Sequence, residues 1–497
     1  MIRPLGRSSQ TLAQVADFLA QDLDPSQRNI EVTGVCSDSR NIQNGDLFLA
    51  FPGEKRHGME FIDQAIAKGA RAVISDFEGV QKSLGKLPSI KVENHQDLPV
   101  ALTDWFYGFP SKSMNLFGIT GTNGKTTTTY LLSEIYKLAG QKSGIIGTVA
   151  IDIAGEQIPA KNTTPTGDEI ISILARMRES AVTNVAIEVS SHALKQSRVS
   201  GLKFSAVGFT NLTQDHLDYH GNMENYFQAK RLLFTEKYSG NAYINIDNDF
   251  GRRLAGEVDI PYQKLSLKGH ADWNLSVLND TGIKTGIKKE IRISGPKGLV
   301  IESKTSLIGE FNFENLLLAI SIAIESGVDA ETVSHSIPKL SGAPGRLQLI
   351  IDEPYHAFVD YAHTPDAVSR VLAAVRGVNA RRIIGVLGCG GDRDRTKRSA
   401  MGSALNSGSD LPIFTSDNPR SESPEKILED MVTGLKLKEG AELIIDRRSA
   451  IRRAVEIAKP GDLIIVLGKG HETGQEILGK IEPFDDRSEL LEAIGIK

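Results

Sequence analysis

A three-domain α/β protein is what this chain predicts, from three observations: its length of 497 residues, the repeated alternation of apolar strand-like runs with amphipathic stretches, and two turn-rich connectors. One hydrophobic core does not serve a chain this long, and roughly one domain per 100–200 residues predicts about three. The connectors place the joints so that residues 1–108, 109–342 and 343–497 form the three domains.

The first hundred residues alternate short apolar runs ("GDLFLAF", "ARAVIS") with amphipathic ones such as "MEFIDQAIAKGA" and predict a small α/β domain. After the connector "WFYGFPSKSM" the units lengthen. Strand "NLFGIT", helix "TTTTYLLSEIYKLAG", strand "KSGIIGTV", helix "EIISILARMRES" and strands "NVAIEVS" and "FSAVGFTN" predict a mostly parallel sheet with flanking helices. Beyond "KLSGAPGRLQ" (339–348), four apolar runs end in glycine or charge: "HAFVDYAHTPD", "IIGVLGCGGDRD", "PIFTSDNPR" and "LIIVLGKGHE". Ligands of open parallel sheets sit beyond the carboxyl ends of strands, so these four ends predict one assembled site on a Rossmann-like third domain.

Composition narrows the partners. With 57 Lys+Arg against 62 Asp+Glu, the net charge of −5 offers no basic excess for a nucleic-acid backbone. Cys36 and Cys389 alone make no disulfide framework and fit a reducing compartment. The start lacks a signal-peptide apolar region, and "NLLLAISIAIESG" falls short of a membrane span. A cytoplasmic protein with a small polar partner, acting as a monomer, is the expectation.

The stretch "FGITGTNGKTTTTYLL" (117–132) leads from a strand through glycines into a helix. Gly121, Thr122, Asn123 and Gly124 permit close backbone approach, and the helix that Lys125, Thr126 and Thr127 open has an N-terminus that favours an anion. The segment predicts a phosphate-binding loop, and hence a P-loop ATPase-like central domain, with Lys125 at the β/γ-phosphates and Thr126 at magnesium. The spacing departs from GxxxxGK[ST], since Gly118 stands one residue early and Ile119 holds its place. A plain glycine turn ahead of a helix is the competing interpretation.

Three further features bear on what is done with the phosphate. Glu188 ends the buried strand "NVAIE", where an unpaired carboxylate is costly and a metal would neutralise it. "TNLTQDHLDYHG" gathers Asp215, His216, Asp218 and His220 at another strand end, where a solvated polar loop is equally open. On a helix, Tyr226, Lys230 and Leu233 share an apolar stripe. Snorkelling would explain Lys230, but a buried lysine can lose its proton, and the neutral amine can take up carbon dioxide to become an anionic carbamate.

In this order, GTNGKT, Glu188, His216 and the YxxAK lysine resemble the Mur ligase family, the ATP-dependent amide-forming enzymes of peptidoglycan precursor synthesis. "DSR" with "GDLFLAFPGEKRHG", "GEFNFEN" (309–315), "PGR" (344–346) and "DYAHTPD" (360–366) extend the match through nearly the whole chain. Within the family, "GCGGDRD", "DNPR" and "GKGHE" are most similar to the MurE type, which adds the third peptide residue to UDP-N-acetylmuramoyl-L-alanyl-D-glutamate. The resemblance implies that Ser39 and Gly53, Glu54, Lys55 and Arg56 hold the UDP end, and that Asn162, Thr163, Thr164, Ser190, Gln196 and Arg198 hold the sugar-peptide portion. It further implies Asn312, Asn315, Arg346 and Asp360 at ATP, with Asp360 at the ribose. Thr126 and Glu188 would hold one magnesium, and His216 with carbamylated Lys230 the second; His192 receives no metal role and is taken as a packed histidine.

The implied chemistry answers a difficulty: a carboxylate is a poor electrophile at neutral pH. The γ-phosphoryl group of ATP passes to the side-chain carboxylate of the D-glutamate, the loop amides, Lys125 and Mg²⁺ stabilise the charge, and an amine displaces phosphate from the acyl phosphate. Three domains must converge for this, so hinge closure is expected. MurE-type enzymes add meso-2,6-diaminopimelate or L-lysine, which differ by one carboxylate. Arg420 of "DNPR" offers a fork for that carboxylate, with Arg393, Asp417, Asn418, Pro419, Gly468 and Glu472 in the same site by resemblance, Glu472 pairing with an ammonium. Meso-diaminopimelate is therefore the expected amine. The alternatives are the L-lysine-adding ligase, folylpolyglutamate synthase with the same amide chemistry, an Arg420 that merely pairs with a neighbouring acid, and a nucleotide-binding switch that transfers no phosphate.

Overall fold

The computed structural model describes residues 1–53, 56–83, 85–93, 96–278, 288–378 and 380–495. The chain gathers into two compact units, one of Met1–Ser266 with His270–Trp273 and Leu318–Asp329, the other of Leu267–Gly269, Asn274–Leu317 and the chain from Ala330 onward. The predicted α/β character holds in both.

In the first unit a four-stranded parallel sheet runs Gly34–Cys36, Asp46–Leu49, Ala72–Ser75, Ser89–Lys91. Successive side chains of a strand face opposite ways. Leu47, Leu49, Ala72 and Ile74 thus enter a core that continues to Ile260, whereas Phe48 and Val73 enter a smaller one with Met59 and Ile62. Strands of three or four residues enclose too little apolar area alone, so one face of this sheet packs into the larger core.

Eight strands of the larger sheet follow the order Glu156–Pro159, Ala150–Ile153, Ser143–Ile146, Asn184–Glu188, Asn115–Thr120, Ala206–Phe209, Ala242–Asn245, Tyr262–Ser266. Pairing is parallel from Ser143–Ile146 onward. The first two strands fold back antiparallel. One consequence governs the site: Asn115–Thr120 lies between Asn184–Glu188 and Ala206–Phe209, so the loop after Thr120 emerges between Glu188 and the segment that begins at Thr210. The early glycine of the motif is also explained. Gly118 sits inside its strand, where a Cβ would come within 3.1 Å of the Phe204 ring, so it serves packing while Gly121 opens the loop.

The second unit holds, from Asn274 onward, an antiparallel meander of Trp273–Val277, Lys289–Ser294 and Val300–Thr305, which the sequence patterning did not predict. Its main sheet has the order Gln348–Ile351, His356–Asp360, Leu463–Leu467, Ile383–Cys389, Leu411–Ser416, Glu442–Leu443, parallel except at Gln348–Ile351. Leu463, Ile465 and Leu467 enter one core, and Ile464 and Val466 the other. Burial on both faces is why this strand reads as an unbroken apolar run. The four strands flagged for their polar ends are neighbours in the sheet, so those ends do assemble. Among the described residues, no helix is long and apolar enough to cross a membrane.

Candidate active site

In the first unit the site is built on the loop 121–124. Gly121 has φ 151°, and a Cβ there would lie 1.9 Å from Thr210 Oγ1. Gly124, at φ 88°, caps the helix Lys125–Leu138. The loop is pinned from the neighbouring strand end: Thr122 N donates to Asn211 O (2.9 Å), Asn123 N to Asn211 Oδ1 (3.1 Å) and Thr210 Oγ1 to Asn123 O (2.6 Å). A turn of this shape at a helix N-terminus presents backbone N–H groups to an anion.

Two lysines meet at the loop. Lys125 Nζ donates to Gly121 O (2.9 Å) and Thr122 O (2.8 Å). Lys230, on the helix Met223–Arg231, donates to the same Gly121 carbonyl at 2.8 Å. Lys230 is 1% exposed; burial, reinforced by the nearby Lys125 charge and only partly opposed by Asp215, pushes its amine well below the ordinary lysine range. The predicted stripe is present, since Tyr226, Lys230 and Leu233 are all buried and Nζ lies 4.8 Å over the Tyr226 ring.

Glu188 is fully buried and held by hydroxyls and one amide. Thr126 Oγ1 donates to Oε2 (3.0 Å), Thr148 N to Oε1 (2.8 Å) and Thr148 Oγ1 to Oε2 (3.0 Å). A Cβ on Gly147 would come within 2.3 Å of Oε1, so glycine is needed for the carboxylate to sit there. Thr148 was missed from sequence; it lies two residues beyond the strand Ser143–Ile146, within "KSGIIGTV". An anionic oxygen beside a hydroxyl opposite the phosphate loop suits a hard divalent cation.

Around Glu188, Thr163 and Thr164 join the cluster. Thr148 and Thr163 hydroxyls lie 3.0 Å apart, Thr164 Oγ1 donates to Glu188 O (2.7 Å), and Ser190 N donates to Thr164 Oγ1 (3.1 Å). Arg198 reaches Thr164 O (2.7 Å) and Gln196 Oε1 (2.9 Å). Asn162 is exposed and does not join. His216 starts the short helix Leu217–His220 at φ 51°, half-exposed, 3.5 Å from Asp215 Oδ2. His192 is part of an aromatic group: its ring stacks on Tyr219 (4.0 Å between centroids) and meets His216 edge-on (4.8 Å). Thr127 is buried in the first helical turn.

Farther along the first unit, Ser39 is buried with Oγ donating to Gln64 Oε1 (2.7 Å). Gly53 N donates to Arg56 O (2.9 Å), and Arg56 is exposed. Glu54 and Lys55 lie outside the described residues.

In the second unit Asn312 and Asn315 are buried on the helix Glu310–Glu325. Asp360 ends its strand with both oxygens engaged, by Leu347 N and Ala362 N at 2.6 Å each. Burial pushes its pKa above the usual carboxylate value, with Arg346 opposing. The expected ribose contact therefore also fixes the "PGR" turn, where Arg346 lies 4.4 Å over the Tyr361 ring.

The DNPR and GKGHE ends are knitted together. Asn418 Nδ2 donates to Glu472 Oε2 (2.9 Å), and Gln475 Nε2 to Asp417 O (2.6 Å). Lys469, missed from sequence, is fully buried between them, 3.1 Å from Glu472 Oε2 and 3.4 Å from Asp417 Oδ1. Arg420, at φ 51°, has Nε 3.2 Å from Glu476 Oε2 and donates from Nη1 to Gly391 O (2.7 Å). Pairing with a neighbouring acid, one of the readings open from sequence, is thus present alongside the motif. Pro419 O packs where a Cβ on Gly391 would fall, and Gly468 has φ 115°. Arg393 is exposed on the "GGDRD" turn, which Ser421 ties down through Asp392 (Oγ to Oδ1, 2.7 Å).

Comparison with known proteins agrees with this anatomy. Residues 31–102 match the Mur ligase family catalytic domain, 119–323 the Mur ligase middle domain, and 345–470 the Mur ligase glutamate ligase domain. The chain is 41% identical over 502 residues to the UDP-N-acetylmuramoyl-L-alanyl-D-glutamate--2,6-diaminopimelate ligase of Streptomyces coelicolor, covering 99% of this chain and 98% of the relative. A solved structure of a ligase of that name superposes with TM-score 0.70 at 32% identity, covering 97% of this chain and 98% of the other. A folylpolyglutamate synthase of Mycobacterium tuberculosis shares the fold alone, at 19% identity and TM-score 0.58 over 74% of this chain and 92% of the other. With its three-domain α/β architecture, phosphate loop and strand-end motifs in place, the chain belongs to the Mur ligase family and, within it, to the MurE type.

Proposed function

We propose that the chain is the ATP-dependent amide ligase that joins meso-2,6-diaminopimelate to the D-glutamate of UDP-N-acetylmuramoyl-L-alanyl-D-glutamate. The observation that carries this is the loop 121–124 beside the Thr126–Glu188 pair and buried Lys230, in a chain 41% identical over nearly its full length to a ligase of that name. The cytoplasm, where free thiols such as the buried Cys36 and Cys389 persist, is the compartment we assign. The joints at 108/109 and 342/343 remain our domain boundaries.

Each residue has a task set by its surroundings. Loop amides and Lys125 receive the phosphates, and Thr126 with Glu188 would hold a magnesium ion, which when bound neutralises charge on the transferring group. Burial holds the pKa of Lys230 down and so favours its neutral amine; in that form its nitrogen can attack carbon dioxide, releasing one proton and leaving a carbamate that, with His216, would take a second magnesium. Thr163, Thr164, Ser190, Gln196 and Arg198 form a connected polar surface suited to the peptide portion of the acceptor, with Asn162 at its exposed edge. Ser39, Gly53 and Arg56 serve the uridine end. Asn312, Asn315, Arg346 and Asp360 serve the nucleotide, Asp360 through the lone pairs its two amide contacts leave available.

In the reaction the glutamate side-chain carboxylate oxygen attacks the γ-phosphorus, ADP departs, and the amine of the incoming amino acid displaces phosphate from the acyl phosphate with loss of a proton. Arg420 supplies the fork for the distal carboxylate of diaminopimelate, exchanging its contact with Glu476 for the substrate. The test is product mass: purified protein with ATP, Mg²⁺ and the nucleotide acceptor should yield the acceptor joined to one diaminopimelate by loss of water. Recovery of unchanged acceptor with every amine offered would overturn the reading, and conversion with L-lysine alone would transfer it to the lysine-adding type.

A further inference from the structure

The motif GKGHE contains a lysine that the ligase chemistry leaves without a task. Lys469 is 0% exposed, yet its Nζ has three acceptors: Asn418 Oδ1 at 3.0 Å, Glu472 Oε2 at 3.1 Å and Asp417 Oδ1 at 3.4 Å. An ammonium has three protons to donate, so the pocket matches it one for one. Burying a charge of this kind is costly and adds little stability over an apolar core. Two glycines bracket the lysine, at φ 115° (Gly468) and 55° (Gly470), and a Cβ on Gly470 would come within 2.7 Å of Gly345 O. The backbone is thus bent tightly on both sides of a side chain turned inward.

We infer that Lys469 is a positioning residue for the amino-acid subsite, fixing Glu472 and Asn418 so that one carboxylate oxygen is presented to the ammonium of the incoming amino acid. Glu472 Oε2 is held twice, by Lys469 and by Asn418 Nδ2 (2.9 Å). Asn418 Oδ1 is also held twice, by Lys469 and by Glu476 N (3.0 Å). Glu472 remains one-third exposed, and its other oxygen, Oε1, has no hydrogen-bond partner among the described residues. A carboxylate with one oxygen anchored presents the second in a fixed direction, the support that a binding group needs from its neighbours.

Charge supports the same assignment. Asp417 and Glu472 carry two negative charges and Lys469 returns one positive, leaving the equivalent of one anion for one ammonium. Beside it stands Arg420, held to the same hairpin by its own N–H to Glu476 O (3.0 Å) and by Leu478 N to Arg420 O (2.7 Å). A cation and a net anion side by side fit an amino-acid centre bearing one carboxylate and one ammonium.

The inference rests on the proposed ligase activity, and the experiment separates the two. Wild-type protein is assayed first for phosphate release dependent on meso-diaminopimelate; its absence would count against the function, not against Lys469. Steady-state KM values for the amino acid, ATP and the nucleotide acceptor are then compared for wild type, Lys469→Gln and Lys469→Arg. Loss of an outer support commonly costs about 10- to 100-fold, so Lys469→Gln should raise the KM for diaminopimelate by that factor with the other two within about twofold, and Lys469→Arg should recover part of it. Parallel changes in all three constants, or none, would overturn the inference. Should Lys469→Gln not fold, Glu472→Gln and the double variant Lys469→Gln/Glu472→Gln, which removes the buried charge with its partner, replace it. The second substitution should then add less than about twofold to the KM already lost, and full additivity would overturn the inference.

Discussion

Two buried lysines, one in each compact unit, stand in opposite surroundings. Lys230 donates to a carbonyl that a second lysine also uses, and burial holds its amine down. Lys469 is surrounded by two carboxylates and an amide oxygen. The contrast shows that burial alone does not assign a lysine's role. With a cation for a neighbour the amine is driven toward the neutral, reactive form; with anions it serves as a fixed charge that orders other groups. The first suits chemistry on carbon dioxide and metal, the second recognition of a substrate.

The largest effect expected from breaking this contrast is at the reactive pole. Lys230→Met should lower turnover by roughly 10³-fold or more, as removal of a principal charge-stabilising group does, measured as ATP-derived phosphate release with saturating substrates. The same variant should be the more stable protein in carbon-dioxide-free buffer. The amine titrates lower in the folded than in the unfolded chain, so between those two values the unfolded state binds the extra proton and wild-type stability rises with pH. Denaturant midpoints of wild type and Lys230→Met should therefore converge as pH approaches the unfolded lysine range. A constant difference would show that Lys230 titrates alike in both states.

At the recognition pole, Arg420→Ala should reduce selectivity for meso-diaminopimelate over L-lysine by about 10²- to 10³-fold, the scale for leaving a charge unpaired in a closed site. Competition between the two amines with product masses as readout checks this, and unchanged selectivity would make Arg420 a structural partner of Glu476 only.

Smaller effects come from the supporting frame. Gly121→Ala places a methyl 1.9 Å from Thr210 Oγ1 on a backbone at φ 151° and should cost about 1–3 kcal/mol, seen as a lowered denaturant midpoint with weakened nucleotide binding. His471, whose imidazole burial and Arg346 hold down at about 4, makes the smallest contribution. Below the unfolded value the unfolded chain takes up a proton that the folded one refuses, so its share of stability is lost as pH falls from about 6.5 to 4, on the order of 1 kcal/mol or more. His471→Asn should flatten that slope, and an unaltered slope would contradict the burial argument.

Much of this was legible in the sequence, unevenly. The strands ending in Asp360, Cys389, Ser416 and Leu467 announced themselves because both faces are buried and the polar residues begin where the sheet stops. Glu188 was legible for the same reason, as was the apolar stripe holding Lys230. Thr148 and Lys469 were not, because neither interrupts its pattern: a threonine after a strand is ordinary, and a lysine among glycines looks solvated until Asp417 and Asn418, 52 and 51 residues away, are brought in to enclose it. The pairing of Arg420 with Glu476 was equally hidden, since it depends on the hairpin Gly474–Ile477 with Lys480–Pro483 returning to the DNPR turn. Local signals revealed which strand ends were polar, and only the folded chain revealed which polar groups hold one another.

The most direct test measures phosphate release from ATP in the presence of UDP-N-acetylmuramoyl-L-alanyl-D-glutamate, with meso-diaminopimelate, L-lysine or no amino acid in parallel. Release that requires meso-diaminopimelate is the predicted result. Release independent of any amino acid, or supported by L-lysine alone, would contradict the account of the recognition pole.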